Sequence, residues 1–299
     1  MTRAFDITRS QNERPASTRP NDCRSVIEVD PAIPDRLRNR GSAILTRAAS
    51  SWFVVAVLGQ WLFVTYVIGF YFRAIWNGQI ETWNKVLPHG YVPGDTVGNL
   101  VVAVHLAFAV FILVGGSLQV MTGIRRRFPR FHRINGRIYL ASAIVMSVGG
   151  LLMVWTRGTV GGPAQAVAIS INAMLIMACA IMTVRHAMGR RLEVHRQWAL
   201  RLFLVVSGVW FFRIGLMFWI AVNRGPVGFD PETFRGPALV ALAFGQYLVP
   251  LAILELYFWA KRSRSLVFRA SMAASLFVLT LATAGGIVAA FLFMWLPRL

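Results

Sequence analysis

Two basic elements of the chain carry the side chains best suited to chemistry. Each is a His-Arg pair that opens an apolar run and is followed by a further arginine: His132, Arg133 and Arg137 in the first, and His195, Arg196 and Arg201 in the second. An imidazole can bind a metal or haem iron, and a guanidinium can hold a phosphate or a carboxylate through two hydrogen bonds. The elements therefore predict either a cofactor site or a surface for anionic groups.

Three interpretations of these elements remain open. The first is anchoring, in which arginines at a membrane boundary reach anionic lipid headgroups while the histidines lie at headgroup depth. The second is a b-type haem held by two of His132, His186 and His195, with arginines beside its propionates. The third is recognition of an anionic headgroup or a phosphorylated substrate by the arginine clusters. Anchoring needs the fewest assumptions, because all three histidines lie at predicted helix ends.

A second set of polar residues lies within the apolar segments. Counted at 1.5 Å per residue from the assumed outer ends, these side chains fall about 10 to 13 Å deep. They are Tyr66, His105, Asn172, Arg213 and Gln246. Polar groups at this depth usually face an interior or a cavity, so the set is the candidate ligand pocket. A purely structural polar cluster is the alternative.

Arg213 is the member of this set that is hardest to explain structurally. Arginine keeps its charge in a membrane, and no carboxylate occurs at the same predicted depth. The one acid within an apolar segment, Glu255, falls near the inner end of its helix, where Arg137 or Arg201 is the expected partner. The pattern predicts an outer cationic pocket and an inner ion pair, an arrangement compatible with transport.

The elements that must position these residues are seven apolar segments, each close to the ~20 residues that cross a bilayer as a helix. A transmembrane β-strand would be half as long and strictly alternating. The sequence therefore predicts an all-α polytopic bundle with spans near residues 52–72, 98–120, 138–155, 165–184, 202–222, 237–259 and 270–295.

Composition supports a membrane protein and gives its orientation. Hydrophobic residues make up 56% of the 299 residues, charged residues 14%, and the net charge is +19. The charges lie at the ends of apolar segments, which argues against a nucleic-acid partner. Of the 31 Lys and Arg, 24 fall on the side that includes the amino terminus and six on the other. The positive-inside rule predicts a cytoplasmic amino terminus.

Outside the spans the sequence offers little chemistry. Residues 1–50 mix arginines, acids and prolines without an apolar period, which predicts a disordered cytoplasmic tail ahead of a transmembrane domain at 51–299. The two cysteines, Cys23 and Cys179, cannot form a thiolate metal site, and we predict no metal. No nucleotide-binding loop, zinc-protease motif or nucleophile elbow occurs, so whether the chain is an enzyme stays undecided.

The polar residues also form a pattern. His105, Gly115, Gly116 and Gln119 precede the run from Phe131 to Tyr139 (FHRINGRIY), and the run from His195 to Arg201 (HRQWALR) and Arg213 follow. This pattern resembles the bacterial predicted membrane proteins classed as domain of unknown function 2306, over roughly the second to the fifth or sixth helix. The resemblance implies a multi-pass protein of the bacterial inner membrane and no established activity.

Three classes of function are consistent with these residues. The chain is expected to bind or transport a small anionic or lipidic ligand in an intramembrane polar pocket. The alternatives are a membrane electron-transfer protein that uses haem b or a quinone, and a structural or assembly factor without a ligand. The bilayer and its anionic headgroups are the expected partners; the sequence does not define the ligand or the oligomeric state.

Overall fold

The computed structural model describes residues 32–87 and 89–299, with side chains from residue 41 onward. The described residues form an all-helical bundle. Its α-helices are α1 (Ala32–Val67), α2 (Arg73–Trp76), α3 (Thr96–Val120), α4 (Thr122–Arg127), α5 (Pro129–Arg157), α6 (Gly162–Met188), α7 (Leu192–Val206), α8 (Gly208–Asn223), α9 (Pro237–Arg262) and α10 (Leu266–Ala290). A π-helical turn at Ile68–Phe72 joins α1 to α2, and a second at Phe291–Trp295 extends α10.

The predicted multi-pass fold is confirmed. Within the described residues, six helices are long and apolar enough to cross a membrane, and there are seven spans if the bent pair α7 and α8 counts as one. The six are Gly41–Trp76, Thr96–Val120, Pro129–Arg157, Gly162–Met188, Pro237–Arg262 and Leu266–Arg298. We call the end where α3, α6 and α9 finish the basic end, because the arginine-rich loops lie there.

The first helix starts earlier than the sequence predicts. The apolar segment begins near Trp52, whereas α1 begins at Ala32. The expected disorder up to residue 50 is therefore wrong for the part from residue 32 onward, while residues 1–31 lie outside the described residues. Leu45 is buried, and it packs with Ala48 and Ala49 in a cluster that includes Met272 of α10. Apolar residues at helical spacing thus continue the helix beyond the apolar segment.

The fifth span is broken rather than straight. The sequence predicts one helix over 202–222, but α7 and α8 meet at Ser207 with a bend of 53°. The Ser207 hydroxyl donates a hydrogen bond to the Phe203 carbonyl at 2.7 Å. A serine that bonds back to the preceding turn, followed by Gly208, is a recognised cause of helix bending.

Two further apolar clusters hold the bundle together. One joins α1, α3, α8 and the end of α10, and it includes Trp210 and Trp295. The other joins α3, α5, α6, α7 and α9 around Tyr139 and Tyr247. Between α8 and α10 the backbones approach so closely that a Cβ on Gly286 would lie 2.7 Å from the Ile214 carbonyl oxygen. Small residues at such crossings allow the dispersion contacts that replace the hydrophobic effect within lipid.

An ion pair fastens the end opposite the basic end. Asp95 caps α3 by accepting a hydrogen bond from the Gly98 amide at 2.9 Å, and it pairs with Arg157, the last residue of α5. Arg157 also donates to the His89 carbonyl at 3.0 Å. The hydrogen bond from Arg157 and the one from the Gly98 amide hold the pKa of Asp95 below its ordinary value.

Asp95→Asn is expected to lower the melting temperature slightly at pH 7. Asparagine still caps the helix, so the variant isolates the loss of the ion pair. Because the folded-state pKa is lowered, the carboxylate stabilises the fold above its unfolded pKa and loses this effect as pH falls through the folded pKa. Thermal unfolding between pH 3 and pH 7 (about the range in which carboxyl groups titrate) should show the two proteins converging at the acidic end. A gap that persists in acid would contradict the assignment.

Candidate functional site

The five predicted pocket residues fall into three separate groups. His105 of α3 lies at the interface with α5, where Cβ atoms built on Gly149 and Gly150 would be 4.0 and 3.9 Å from its ring. The two glycines therefore provide the surface on which the imidazole packs. The ring nitrogen Nδ1 is buried without a hydrogen-bond partner.

Tyr66 and Arg213 form the second group, which is aromatic. The Tyr66 ring lies against Phe63, Phe70 and Trp295 at centroid separations of 6.0, 5.7 and 6.2 Å. The Arg213 guanidinium lies 5.3 Å from the centre of the Phe63 ring. Within the described residues Arg213 has no carboxylate at ion-pair distance, so its charge rests on the ring face.

Asn172 and Gln246 form the third group, at the break between α7 and α8. Asn172 Nδ2 donates to the Val205 carbonyl at 3.2 Å. A Cβ on Gly208 would lie 3.0 Å from Asn172 Nδ2 and 3.5 Å from Gln246 Oε1, so both amides converge on this glycine. The depth estimate placed the five residues at one level but could not give the directions in which they point.

Gln60 belongs to the third group and is not among the predicted pocket residues. Its Nε2 donates to the Ser207 hydroxyl at 3.0 Å, and both side chains are buried. A glutamine inside an apolar segment is the same signal that singled out Gln246. The serine-glycine pair at 207–208 was the available signal for the break itself.

At the basic end, the motif from residue 131 to 139 packs against the end of α3. Asn135 Nδ2 donates to the Gly115 carbonyl at 2.8 Å and to Gln119 Oε1 at 3.0 Å. Gln119 Nε2 donates to the His132 carbonyl at 3.1 Å. A Cβ on Gly136 would lie 2.6 Å from Gln119 Nε2. The asparagine, the glycine and the glutamine therefore fasten α5 to α3.

The aromatic residue of the same motif completes this contact. A Cβ on Gly116 would lie 2.8 Å from Tyr139 Cε2, so the ring of Tyr139 packs directly on the bare backbone of α3. Tyr139 is buried, while Arg133 and Arg137 are exposed. We call the contact formed by Gly115, Gly116, Gln119, Asn135, Gly136 and Tyr139 the α3–α5 clamp. Most of the motif from residue 131 to 139 therefore serves the packing of α5 against α3.

The three histidines proposed for haem occupy different surroundings. The ring nitrogen Nδ1 of His195 lies 2.9 Å from the Thr183 carbonyl, which fixes the ring and leaves Nε2 available. His132 lies close enough to His195 for an electrostatic interaction, and its Nδ1 is buried without a partner. His186 is half-buried near the end of α6. Within the described residues no group of three metal-ligating side chains occurs.

The predicted inner ion pair is present. Arg201 Nε lies 2.7 Å from Glu255 Oε1, whereas Arg137, the other predicted partner, is exposed on α5. The guanidinium also lies over the rings of Trp198 and Phe258, at 4.7 and 5.4 Å from their centres. Two aromatic faces and one carboxylate thus hold this arginine between α7 and α9.

A long groove that the sequence did not reveal lies between α1, α7, α8, α9 and α10, with α4 at its basic end. Its volume is about 1370 Å³, larger than the ~300–1,000 Å³ of ordinary small-molecule pockets. It borders α9 from Ala238 to Arg262, a length of about 36 Å at 1.5 Å per residue. Most of its lining is apolar, with Phe203, Phe211 and Phe218 among the lining residues.

The groove becomes cationic at one end. Its lining there includes Arg127, Arg196, Lys261 and Arg262, with Glu193 as the acidic member. These four cations are exposed, and within the described residues none forms an ion pair. Their charge is therefore available to a ligand. We call these four residues the cationic mouth.

The middle of the groove has a polar wall. Gln246 lines it, and Pro250 lies one turn further along α9. Proline lacks an N–H, so the helical hydrogen bond to the Gln246 carbonyl is missing. Gln246 Oε1 is also buried without a partner. The backbone carbonyl of Gln246 is therefore left without its helical partner beside the groove, while the side-chain oxygen is enclosed near Gly208.

The fold and these features define a multi-pass α-helical membrane protein with an intramembrane groove. Residues 102–249 match the model of a family described as predicted membrane protein (DUF2306), which confirms the resemblance seen in the sequence. The matched segment contains the α3–α5 clamp and the helix break, whereas α1 and α10 lie outside it. No curated protein and no solved structure matches the chain.

Proposed function

We propose that this protein binds an anionic membrane lipid, with the lipid chains in the groove and the headgroup at the cationic mouth. The observation that carries the proposal is a long apolar groove with four cations at one end that form no ion pair within the described part of the chain. Such a surface is complementary to an amphiphile with a negative headgroup. It is a poor match for a small, fully polar anion, because most of its length is apolar.

The charge balance favours an anionic headgroup over a zwitterionic one. The cationic mouth has four positive residues against one acid, Glu193. Basic residues near a membrane surface contribute about 1 kcal/mol each toward anionic lipids. By the positive-inside rule this end lies on the cytoplasmic side, where the anionic surface of a bacterial inner membrane would supply the ligand.

The dimensions of the groove favour a lipid over a soluble ligand. Its ~36 Å length exceeds the ~30 Å thickness of the hydrocarbon core, so an extended acyl chain can lie along it. The cations are confined to one end, which favours holding a headgroup there over carrying it across the membrane. The proposal therefore moves the ligand site from the five residues predicted from the sequence to the groove, and of those five Gln246 is the one that lines it.

Neutralising Arg196 and Lys261 together is expected to remove most of the preference for anionic lipid. In the unmodified protein, phosphatidylglycerol should raise the melting temperature more than phosphatidylcholine with the same chains. Arg196→Gln with Lys261→Gln should weaken phosphatidylglycerol binding by about 2 kcal/mol, roughly 30-fold. Thermal unfolding of the full chain in detergent, titrated with each lipid, measures both quantities.

The matched control is Arg133→Gln with Arg137→Gln, which removes the same charge from exposed positions on α5 at the same end. Gly245→Leu supplies a steric variant, because Gly245 lines the groove and a Cβ there meets no atom closer than 3.9 Å. The control should keep the lipid preference and the steric variant should lose it. Equal losses in the two charge variants would indicate general surface attraction and contradict the proposal, as would an unmodified protein without a preference.

A further inference from the structure

Three buried hydrogen-bond donors around the Phe63 ring have no acceptor within the described residues. They are the Tyr66 hydroxyl, the Arg213 nitrogen Nε and the Trp295 indole nitrogen Nε1. Tyr66 and Trp295 are 1% and 0% exposed, so both side chains are enclosed by the protein. A buried donor without an acceptor is costly, and more so when the donor is charged. The three together favour a ligand that accepts hydrogen bonds.

The Phe63 ring brings these three side chains together. Its centroid lies 5.3 Å from Arg213 Cζ and 5.3 Å from the centroid of the Trp295 ring. The Tyr66 ring completes the set, at 6.0 Å from Phe63 and 6.2 Å from Trp295. Tyr66 lies on α1, Arg213 on α8 and Trp295 on the π-helical end of α10. Side chains from three parts of the chain therefore meet around one ring.

Two hydroxyl groups and two guanidinium groups also lie near one another here. The Tyr66 hydroxyl is close enough to Arg213 and Arg298 for an electrostatic interaction. The Tyr71 hydroxyl interacts with the same two arginines and with the Tyr66 hydroxyl. Neither arginine forms an ion pair within the described part of the chain, so both phenols lie in an unbalanced positive field. We call Tyr66, Tyr71, Arg213, Trp295 and Arg298 the donor cluster.

The donor cluster runs from the surface into the bundle. Arg298 is exposed, Arg213 is half-buried, and Tyr66 and Trp295 are enclosed. An exposed cation raises the local concentration of anions, and an enclosed one beside hydrogen-bond donors can hold them. The rings of Phe63, Tyr66 and Trp295 pack at stacking distance, which leaves little room for a large organic acid. The surroundings therefore suit a small anion.

We propose that the donor cluster binds a small monovalent anion, represented by chloride in the test. Arg213 supplies the charge, while the Tyr66 hydroxyl and the Trp295 indole N–H donate hydrogen bonds to the anion. Arg298 attracts the anion at the surface. The site lies toward the end of the bundle opposite the cationic mouth, since α10 starts at the basic end and Trp295 follows its other end. It does not depend on the lipid proposal.

The test is thermal unfolding of the full-length protein in detergent, with sodium chloride exchanged for sodium gluconate at constant ionic strength. Gluconate carries the same charge but is too large for the site, so it controls for screening and for sodium. A saturating rise in melting temperature of about 2–4 °C is expected with chloride. Equal melting temperatures in the two salts would overturn the proposal.

Tyr66→Phe removes one proposed ligand and keeps the aromatic ring. The half-saturating chloride concentration should rise about tenfold, because a hydrogen bond to a charged partner is lost. Tyr247→Phe is the matched control: its hydroxyl is also buried without a partner, but it lies in the cluster around Tyr139. Tyr247→Phe should leave the midpoint unchanged. Equal midpoints in the two variants would contradict Tyr66 as a ligand.

Arg213→Met should abolish the chloride response, because it removes the enclosed charge. The cationic mouth can also attract chloride, so Arg196→Gln with Lys261→Gln is the second control and should keep the response. A response that survives Arg213→Met, or one that disappears with the mouth variant, would overturn the proposal. Tyr66→Phe provides the test if Arg213→Met does not fold.

Discussion

Gly116→Leu is expected to destabilise the protein by about 3 kcal/mol, enough to lose most of the folded material on purification. A Cβ at this position would lie 2.8 Å from Tyr139 Cε2 and 3.2 Å from Cζ. Tyr139 is buried in the cluster that joins α3, α5, α6, α7 and α9, so its ring has no free direction in which to move. Unfolding followed by tryptophan fluorescence in detergent would measure the loss.

Two further variants make this result specific to the α3–α5 clamp. Gly123→Leu is the matched control, because a Cβ there meets nothing within 4 Å. Tyr139→Val alone should destabilise by loss of packing, yet it should recover part of the stability when combined with Gly116→Leu. Such non-additivity is expected only for residues in direct contact. Additive losses would mean that Gly116 and Tyr139 do not pack on one another.

The clamp changes the meaning of the motif that carries the family resemblance. From the sequence, His132 and its arginines suggested a cofactor or an anionic surface. In the structure, Asn135 bonds the Gly115 carbonyl and Gln119, and Gly136 makes room for Gln119. The residues between the arginines thus serve helix packing. Arg133 and Arg137 stay exposed on the surface of α5 and take no part in the clamp.

The helices could be predicted because crossing a bilayer imposes one strong rule, a run of about 20 apolar residues. That rule does not predict how far a helix extends beyond the hydrocarbon core. Leu45 is therefore outside the predicted span although it is buried against α10. The rule also gives no information about a bend, because Ser207 and Gly208 do not interrupt the apolar run that they divide into α7 and α8.

The candidate site was less predictable because the depth of a side chain along its helix does not determine the direction in which it points. Asn172 and Gln246 lie at similar depth and do converge, since both face Gly208. His105 lies at a comparable depth but faces Gly149 and Gly150. Rotating a helix by half a turn about its axis would send such a side chain to a different neighbour, and the sequence alone does not give this rotation.

The groove could not be predicted from the sequence for a different reason. Its walls are apolar residues from several helices, each of which is ordinary within its own span. The groove arises from the way the helices are arranged in space, which the sequence of each span does not show. The charges of Arg196 and Lys261 were visible in the sequence, but nothing there connected them with an apolar surface.

Arg213→Met is expected to raise stability by about 2 kcal/mol, although it removes a charged residue from a contact. An arginine within a membrane span costs about 2.5–3.5 kcal/mol, and a cation–π contact returns about 0.5–2 kcal/mol. The Phe63 ring is the only such contact of Arg213 within the described residues, and no carboxylate there offsets the charge. Methionine keeps the length of the side chain and its packing without the charge.

Arg213→Ala is the control for packing. Both variants remove the charge, but alanine also leaves a space beside Phe63, so its melting temperature should fall below that of Arg213→Met. A protein that retains a costly charge against its own stability usually uses it for function. If Arg213→Met instead destabilises as much as Arg213→Ala, the guanidinium contributes to the fold itself. A higher melting temperature of Arg213→Met would support the use of this charge in the donor cluster as an anion site.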